Sequence, residues 1–143
     1  MPWRYLEDRA IADVAFLSEG GSLEEVFTSA AEALLCAMVA DPGAILPREE
    51  IAVRISAESV EMLLFDFLQE IIFAKDARGL LLRAVALRVE ESPGGVSLAG
   101  SLRGERVDRD RHELLADVKA VTLHRYRIEK VSAGWEAEVV LDV

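Results

Sequence analysis

Asp117-Val118-Lys119-Ala120-Val121-Thr122-Leu123-His124 runs on into Arg125-Tyr126-Arg127-Ile128-Glu129-Lys130, turns at Ala133-Gly134 and returns as Trp135 to Asp142. This stretch reads as a β-hairpin with arms over 117–131 and 135–142. On the returning arm Trp135, Ala137, Val139 and Leu141 alternate with Glu136, Glu138, Val140 and Asp142, a period of two. Asp142 therefore leaves the apolar face, one residue before Val143. On an unbroken outgoing arm, Thr122 and His124 share a face with Val118, Ala120, Tyr126 and Ile128, and Lys119 points the other way. A strand that only closed a sheet would not need Lys119, Thr122, His124 and Asp142 at these places. The combination points outward, to a ligand or a partner.

The neighbouring segments extend the same pattern. Leu80 to Glu91 and Val96 to Val107 flank Pro93-Gly94-Gly95, a second hairpin signal. Asp108 to Ala116 is a charged connection that carries His112. Further upstream, Val60, Leu63, Leu64, Phe67, Leu68, Ile71 and Ile72 follow helical spacing, with Gly79 as the stop. Met62, Phe65 and Phe73 widen that apolar face, so packing on more than one side is expected. Ser22-x-x-Glu25 has the capping-box spacing at the head of another helix, with Leu23, Val26, Phe27, Ala30, Leu34, Ala37 and Met38 on one face. Asp41-Pro42-Gly43 is expected to end it. Ile51, Val53 and Ile55 mark a strand, and Ala12, Val14 and Phe16 alternate with Asp13 in another. Gly20-Gly21 breaks that strand. Two helices and about six strands, most joined as hairpins, predict a single α+β domain over residues 1–143, with the helices packed on a mostly antiparallel sheet.

Composition excludes several classes. The chain has 143 residues, 52% hydrophobic, enough for one core and too apolar for disorder. No apolar run reaches the roughly 18 residues that a membrane span needs, and the start, Met-Pro-Trp-Arg-Tyr-Leu-Glu-Asp, has no signal core. The single cysteine, Cys36, excludes an internal disulfide and reads as a small buried helix residue in a reducing, cytoplasmic compartment. The formal net charge is −10. Residues 1–99 carry −9 of it and residues 100–143 only −1. Tight binding to nucleic acid needs phosphate neutralisation, so this balance argues against it and suits docking on a basic protein.

The candidate chemistry rests on acids placed off the core. Asp13 and Asp142 both leave the apolar face of their strands, and on neighbouring strands they could meet. Two close carboxylates repel unless a cation or proton sits between them. Their oxygens, with the carbonyl and terminal carboxylate of Val143, are hard donors suited to calcium, magnesium or manganese. Zinc is disfavoured, because His112, His124 and Cys36 are the only nitrogen and sulfur ligands. Lys119 stands in an apolar strand, either solvated or paired with Asp13 or Asp142. His124 is either a partly buried strand histidine or a polar contact beside the acids. Asp66, the only charge from Met62 to Gln69, needs a cap, an ion pair such as Lys119, or a third place in the ligand set. Arg103, Arg106, Arg109 and Arg111 are diluted by Glu105, Asp108 and Asp110, as on an exposed connection. Neither a glycine-rich phosphate loop nor a nucleophile with an activating base is readable.

Ala12-Asp13-Val14, the segment from Val118 to His124, and Val140-Leu141-Asp142-Val143 together resemble the archease family. Arg111-His112-Glu113 and the run from Leu63 to Glu70 fit in the same order. Many members carry His-Thr where this chain has Ala10 and Ile11, so no role of that histidine carries over. The resemblance implies a non-enzymatic accessory factor that promotes guanylylation and multiple turnover of a GTP-dependent RNA ligase in tRNA splicing or RNA repair. It implies a divalent metal ion, calcium first, at Asp13, Asp142 and Val143, with Lys119 beside them and Asp66, His124 and His112 in support. A general protein chaperone or adaptor is the alternative, and a small metal-dependent hydrolase ranks third.

Overall fold

A computed structural model describes residues 2–6 and 13–143 of the chain. In chain order it contains β1 (Trp3–Leu6), β2 (Asp13–Gly20), α1 (Leu23–Met38), β3 (Glu49–Ala57), α2 (Val60–Arg78), β4 (Leu80–Ser92), β5 (Gly95–Arg106), β6 (Ala120–Val131) and β7 (Gly134–Asp142). The α+β class holds. The strands, however, divide into two antiparallel sheets, one of four in the order β1-β2-β7-β6 and one of three in the order β3-β5-β4. One sheet cannot cover two helices as apolar as these on all sides. α1 packs on β2 and β4, and α2 on β3, β4, β5 and β6, so the helix pair is shared between the sheets.

Both helices start as their sequences direct. Ser22 Oγ accepts the Glu25 amide at 3.2 Å, and Glu25 Oε2 accepts the Gly21 amide at 2.6 Å, so the carboxylate satisfies the residue before the cap rather than the cap itself. Ser59 caps α2 in the same way, and Gly79 ends it at φ +65, with its amide donating to the Lys75 carbonyl. α1 stops at Met38, three residues before Asp41. The Asp41-Pro42-Gly43 signal instead caps a single 3-10 turn over Pro42–Ala44.

The core runs through Phe16, Phe27, Leu34, Phe67, Leu68, Ile71, Leu82, Val139 and Leu141, all fully buried. Phe27 and Phe67 stack with centroids 5.8 Å apart and tie the helices together. The apolar surface of α2 is narrower than its sequence predicts. Phe65 is half-buried, but Met62 and Phe73 stand 42% and 59% exposed, because the two sheets reach round only the opposite sides of the helix. Helix side chains also satisfy amides of the outer strands: Glu24 Oε2 accepts from Val89 and Gln69 Oε1 from Val121. Cys36 is half-buried rather than buried. Its thiol is pushed up by burial and then by Glu32, with Arg83 opposing.

Candidate functional site

The four-stranded sheet puts β2 beside β7, and the register aligns Asp13 with Asp142 directly. Val14 faces Leu141 and Phe16 faces Val139 in the same ladder, on the core side. Asp13 and Asp142 therefore share the opposite face of the sheet. Residues directly opposite in an antiparallel pair hold their Cβ atoms roughly 4.5–5.5 Å apart. Two like charges at that range destabilise the pair unless a cation joins them. Neither carboxylate has a hydrogen bond or ion pair among the described residues. Asp142 is exposed and Asp13 half-exposed, so an ion has access from solvent.

β6 completes the row. Ala120 lies opposite Asp142, and the Lys119 amide donates to the Asp142 carbonyl at 2.8 Å. The stretch before β6 is held by α2: Lys75 Nζ donates to Asp117 Oδ1 and to the Val118 carbonyl, each at 2.7 Å. This bond lowers the Asp117 pKa. Burial alone would depress Lys75, but its hydrogen bonds to Asp117 and Asp76 raise it instead. Lys75, Asp117 and Gln69 thus position the stretch that carries Lys119 and leads into β6, which starts only at Ala120. Only Gln69 left a sequence signal, as an amide on the apolar side of a helix.

The backbone of Lys119 is at the site, but its side chain is exposed and forms no ion pair with Asp13 or Asp142 among the described residues. Its charge acts on Asp117 instead. Val143 packs its side chain against the core. The donor set is hard oxygen and fits calcium, magnesium or manganese in kind. In number it is small, for among the described residues no three His, Cys, Asp or Glu side chains converge. The remaining positions on such an ion would fall to water or to a partner. Ala10 and Ile11, the positions that depart from the resemblance, lie outside the described residues.

The other candidates are elsewhere. Asp66 is half-buried beside Tyr126, whose phenol is pushed up first by burial and then by Glu61 and Asp66. It forms no ion pair with Lys119 among the described residues. His112 is buried and structural. Its Nδ1 accepts the Asp108 amide at 2.9 Å, which leaves the proton on Nε2 to be donated to Glu105 Oε2 at 3.1 Å. Glu105 itself is 3% exposed. The Leu46 amide, then Arg111 and His112, hold its pKa at about 2 against the opposing effect of burial. Arg111 also reaches Asp108, while Arg103 and Arg106 pair with Glu50 and Glu49, so the basic run is largely consumed internally.

His124 is exposed, and the face expected for it is broken by a bulge. Thr122 opposes Val140 and Arg127 opposes Glu138, so five steps along β6 match two along β7. The odd surplus exchanges the faces. Ala120 and Thr122 lie on the side of Asp142, while Tyr126 and Ile128 turn to the core side. Arg125 takes φ +53 within the bulge. No glycine marks the place, which is why the sequence concealed it.

A profile of the archease protein family matches residues 3–143. Protein archease of Thermococcus gammatolerans is 37% identical, covering 99% of this chain and 98% of that one. Protein archease of Archaeoglobus fulgidus is 35% identical over the whole of both chains. The fold is similar to the solution structure of Methanobacterium thermoautotrophicum protein 1598, with TM-score 0.85, 32% identity and 99% of each chain covered. It is also similar to a Thermotoga maritima crystal structure described as an archease, possible chaperone, with TM-score 0.65, 23% identity and coverage of 98% and 100%. Sequence and fold agree along the full described length, and the chain belongs to the archease protein family.

Proposed function

We propose that this chain is a non-enzymatic accessory factor of a GTP-dependent RNA ligase, promoting guanylylation and multiple turnover of its partner in the cytoplasm. The observation that carries the reading is the direct pairing of Asp13 with Asp142 off the core face, in a chain of the archease family. Asp13, Asp142 and the oxygens of Val143 would hold a divalent ion, calcium first. The ion would supply fixed positive charge where phosphate oxygens develop negative charge. The residues of this chain do the positioning. The β2–β7 ladder fixes the spacing of the two acids, and the Lys119 amide fixes the end of β7. A charged site ordered in advance lowers the reorganisation cost of a group-transfer step. The incomplete ligand set suits an ion presented to a partner rather than sealed inside one chain.

The net charge of −10 supports a protein partner over direct RNA binding. The test is multiple-turnover RNA ligation by the cognate ligase, with wild type, Asp13→Ala or no added protein. Acceleration by wild type alone is the expected result. No acceleration by wild type would sink the ligase reading and bring forward the chaperone or adaptor.

A further inference from the structure

Residues 115–119 form no regular strand, yet they carry the bond that holds the end of β7, from the Lys119 amide to the Asp142 carbonyl. The first of them lean on α1, whose Met38 and Ala37 carbonyls accept the amides of Leu115 and Ala116. The rest rely on α2. Lys75 turns its ammonium, which has three protons to give, toward three acceptors. They are Asp117 Oδ1 at 2.7 Å, the Val118 carbonyl at 2.7 Å and Asp76 Oδ1 at 2.8 Å. Six residues earlier on the helix, Gln69 Oε1 accepts the Val121 amide at 2.7 Å. The two contacts match in length. Gln69 to Lys75 rises about 9 Å along the helix. Val118 to Val121 spans about 10 Å of extended chain. Helix and strand thus run in opposite directions, touching at 118 and 121. Lys119 and Ala120 lie between the contacts, and these two residues meet Asp142, one through its amide and one directly across the ladder.

We infer that α2 is a splint for the acidic pair, and that Lys75 is a positioning residue that sets the affinity of Asp13 and Asp142 for a divalent ion by holding the 117–121 stretch against β7. An exposed ion pair would add little of this kind. The Lys75 side chain, however, is only 12% exposed, and one of its acceptors is a backbone carbonyl next to Lys119. Its two carboxylate partners, Asp76 and Asp117, are exposed and stay solvated if the ammonium is removed, so its loss strands no buried charge. Groups that orient a metal ligand without binding the metal commonly govern affinity in this way. The inference rests on the reading of Asp13 and Asp142 as an ion site.

The experiment titrates calcium calorimetrically into the free protein, at a temperature where every variant is fully folded. Lys75→Met keeps the reach of the side chain and removes its ammonium. It should weaken calcium binding roughly tenfold. Lys75→Arg can still pair with Asp117 and should recover most of that loss. Ser22→Ala is the destabilised control. It removes the cap of α1, beyond the end of β2 away from Asp13, and should bind calcium as wild type does. Coupling is reciprocal, so calcium should slow amide hydrogen exchange at Lys119 and Val121 in wild type, and less so in Lys75→Met. If wild type and Lys75→Met bind calcium equally well, the splint is wrong and the ion site stands. If Ser22→Ala loses as much affinity as Lys75→Met, the effect is general destabilisation and the positioning role falls. If wild type binds no calcium, the ion reading fails and the splint falls with it.

Discussion

Two regions of this protein hold carboxylates where a neighbour must answer for them, and they answer in opposite ways. Glu105 is buried with a backbone amide, an arginine and the neutral His112 all turned toward it. Asp13 and Asp142 face each other across a ladder with no cation from the described residues. The first region is complete, and its chemistry is spent on holding the loops at 46 and 105–112 together. The second is incomplete, and its chemistry is available to something outside the chain. The strongly shifted acid is satisfied within the fold, and the two acids proposed to hold an ion lie off the core without a partner among the described residues.

The contrast is broken most sharply by Asp13→Ala or Asp142→Ala. Either should reduce ligase stimulation to background while leaving the protein folded, with stability within about 1 kcal/mol of wild type, because both side chains lie off the core. Ligation assays paired with denaturant titrations check this, and loss of the folded state would assign the acids a structural role. The opposite result is expected at His112→Ala. Removing this buried ring leaves Glu105 and the Asp108 amide short of a partner and should cost about 1–3 kcal/mol, with stimulation by the remaining folded protein retained.

Acid sharpens the comparison further. The Glu105 carboxyl titrates at about 2 when folded, against 4.5 as its ordinary value. Its stabilisation is therefore fully present above about pH 4.5 and is lost as pH falls toward 2. Glu105→Gln should lower the melting temperature at neutral pH and flatten this acid limb. An unchanged limb in melts run across that range would move the acid sensitivity to other carboxylates.

A smaller effect distinguishes a paired from an ion-bridged site. In chelator, Asp142→Asn should raise stability by up to about 1 kcal/mol, since it removes a like-charge pair directly across a ladder. Added calcium should then raise the melting temperature of wild type and leave the variant unmoved. Smallest of all, deleting Val143 should weaken calcium binding without abolishing it. A calorimetric titration identical to wild type would remove its oxygens from the ligand set.

Much of the fold was legible because its signals are local. Ser22, Ser59 and Gly79 mark helix ends through hydrogen bonds that lie within four residues of the cap. Pro93-Gly94-Gly95 and Gly134 mark hairpins, and Gly134 needs its φ of +139 for a turn that passes close to Gly20. The alternation in β7 and the place of Asp13 opposite its apolar neighbours were likewise readable, because the period of two survives wherever a strand is regular. These local patterns determined the α+β class and the departure of both aspartates from the core.

Long-range pairing decided the rest. Whether Asp13 meets Asp142 depends on which strands are neighbours and in which register, and one slipped residue would have sent one acid to the core. The split into two sheets follows from helices that must be covered on several sides, a property of the packed whole. The burial of His112 was set by loops brought together across the chain, as the bond from the Leu46 amide to Glu105 illustrates. The β6 bulge turned Tyr126 inward and left His124 outside, because the ladder with β7 and the contacts of Tyr126 with α2 outweigh the alternation of the strand itself. The residues of this protein determined which groups could act, and only tertiary packing decided which of them were left free to do so.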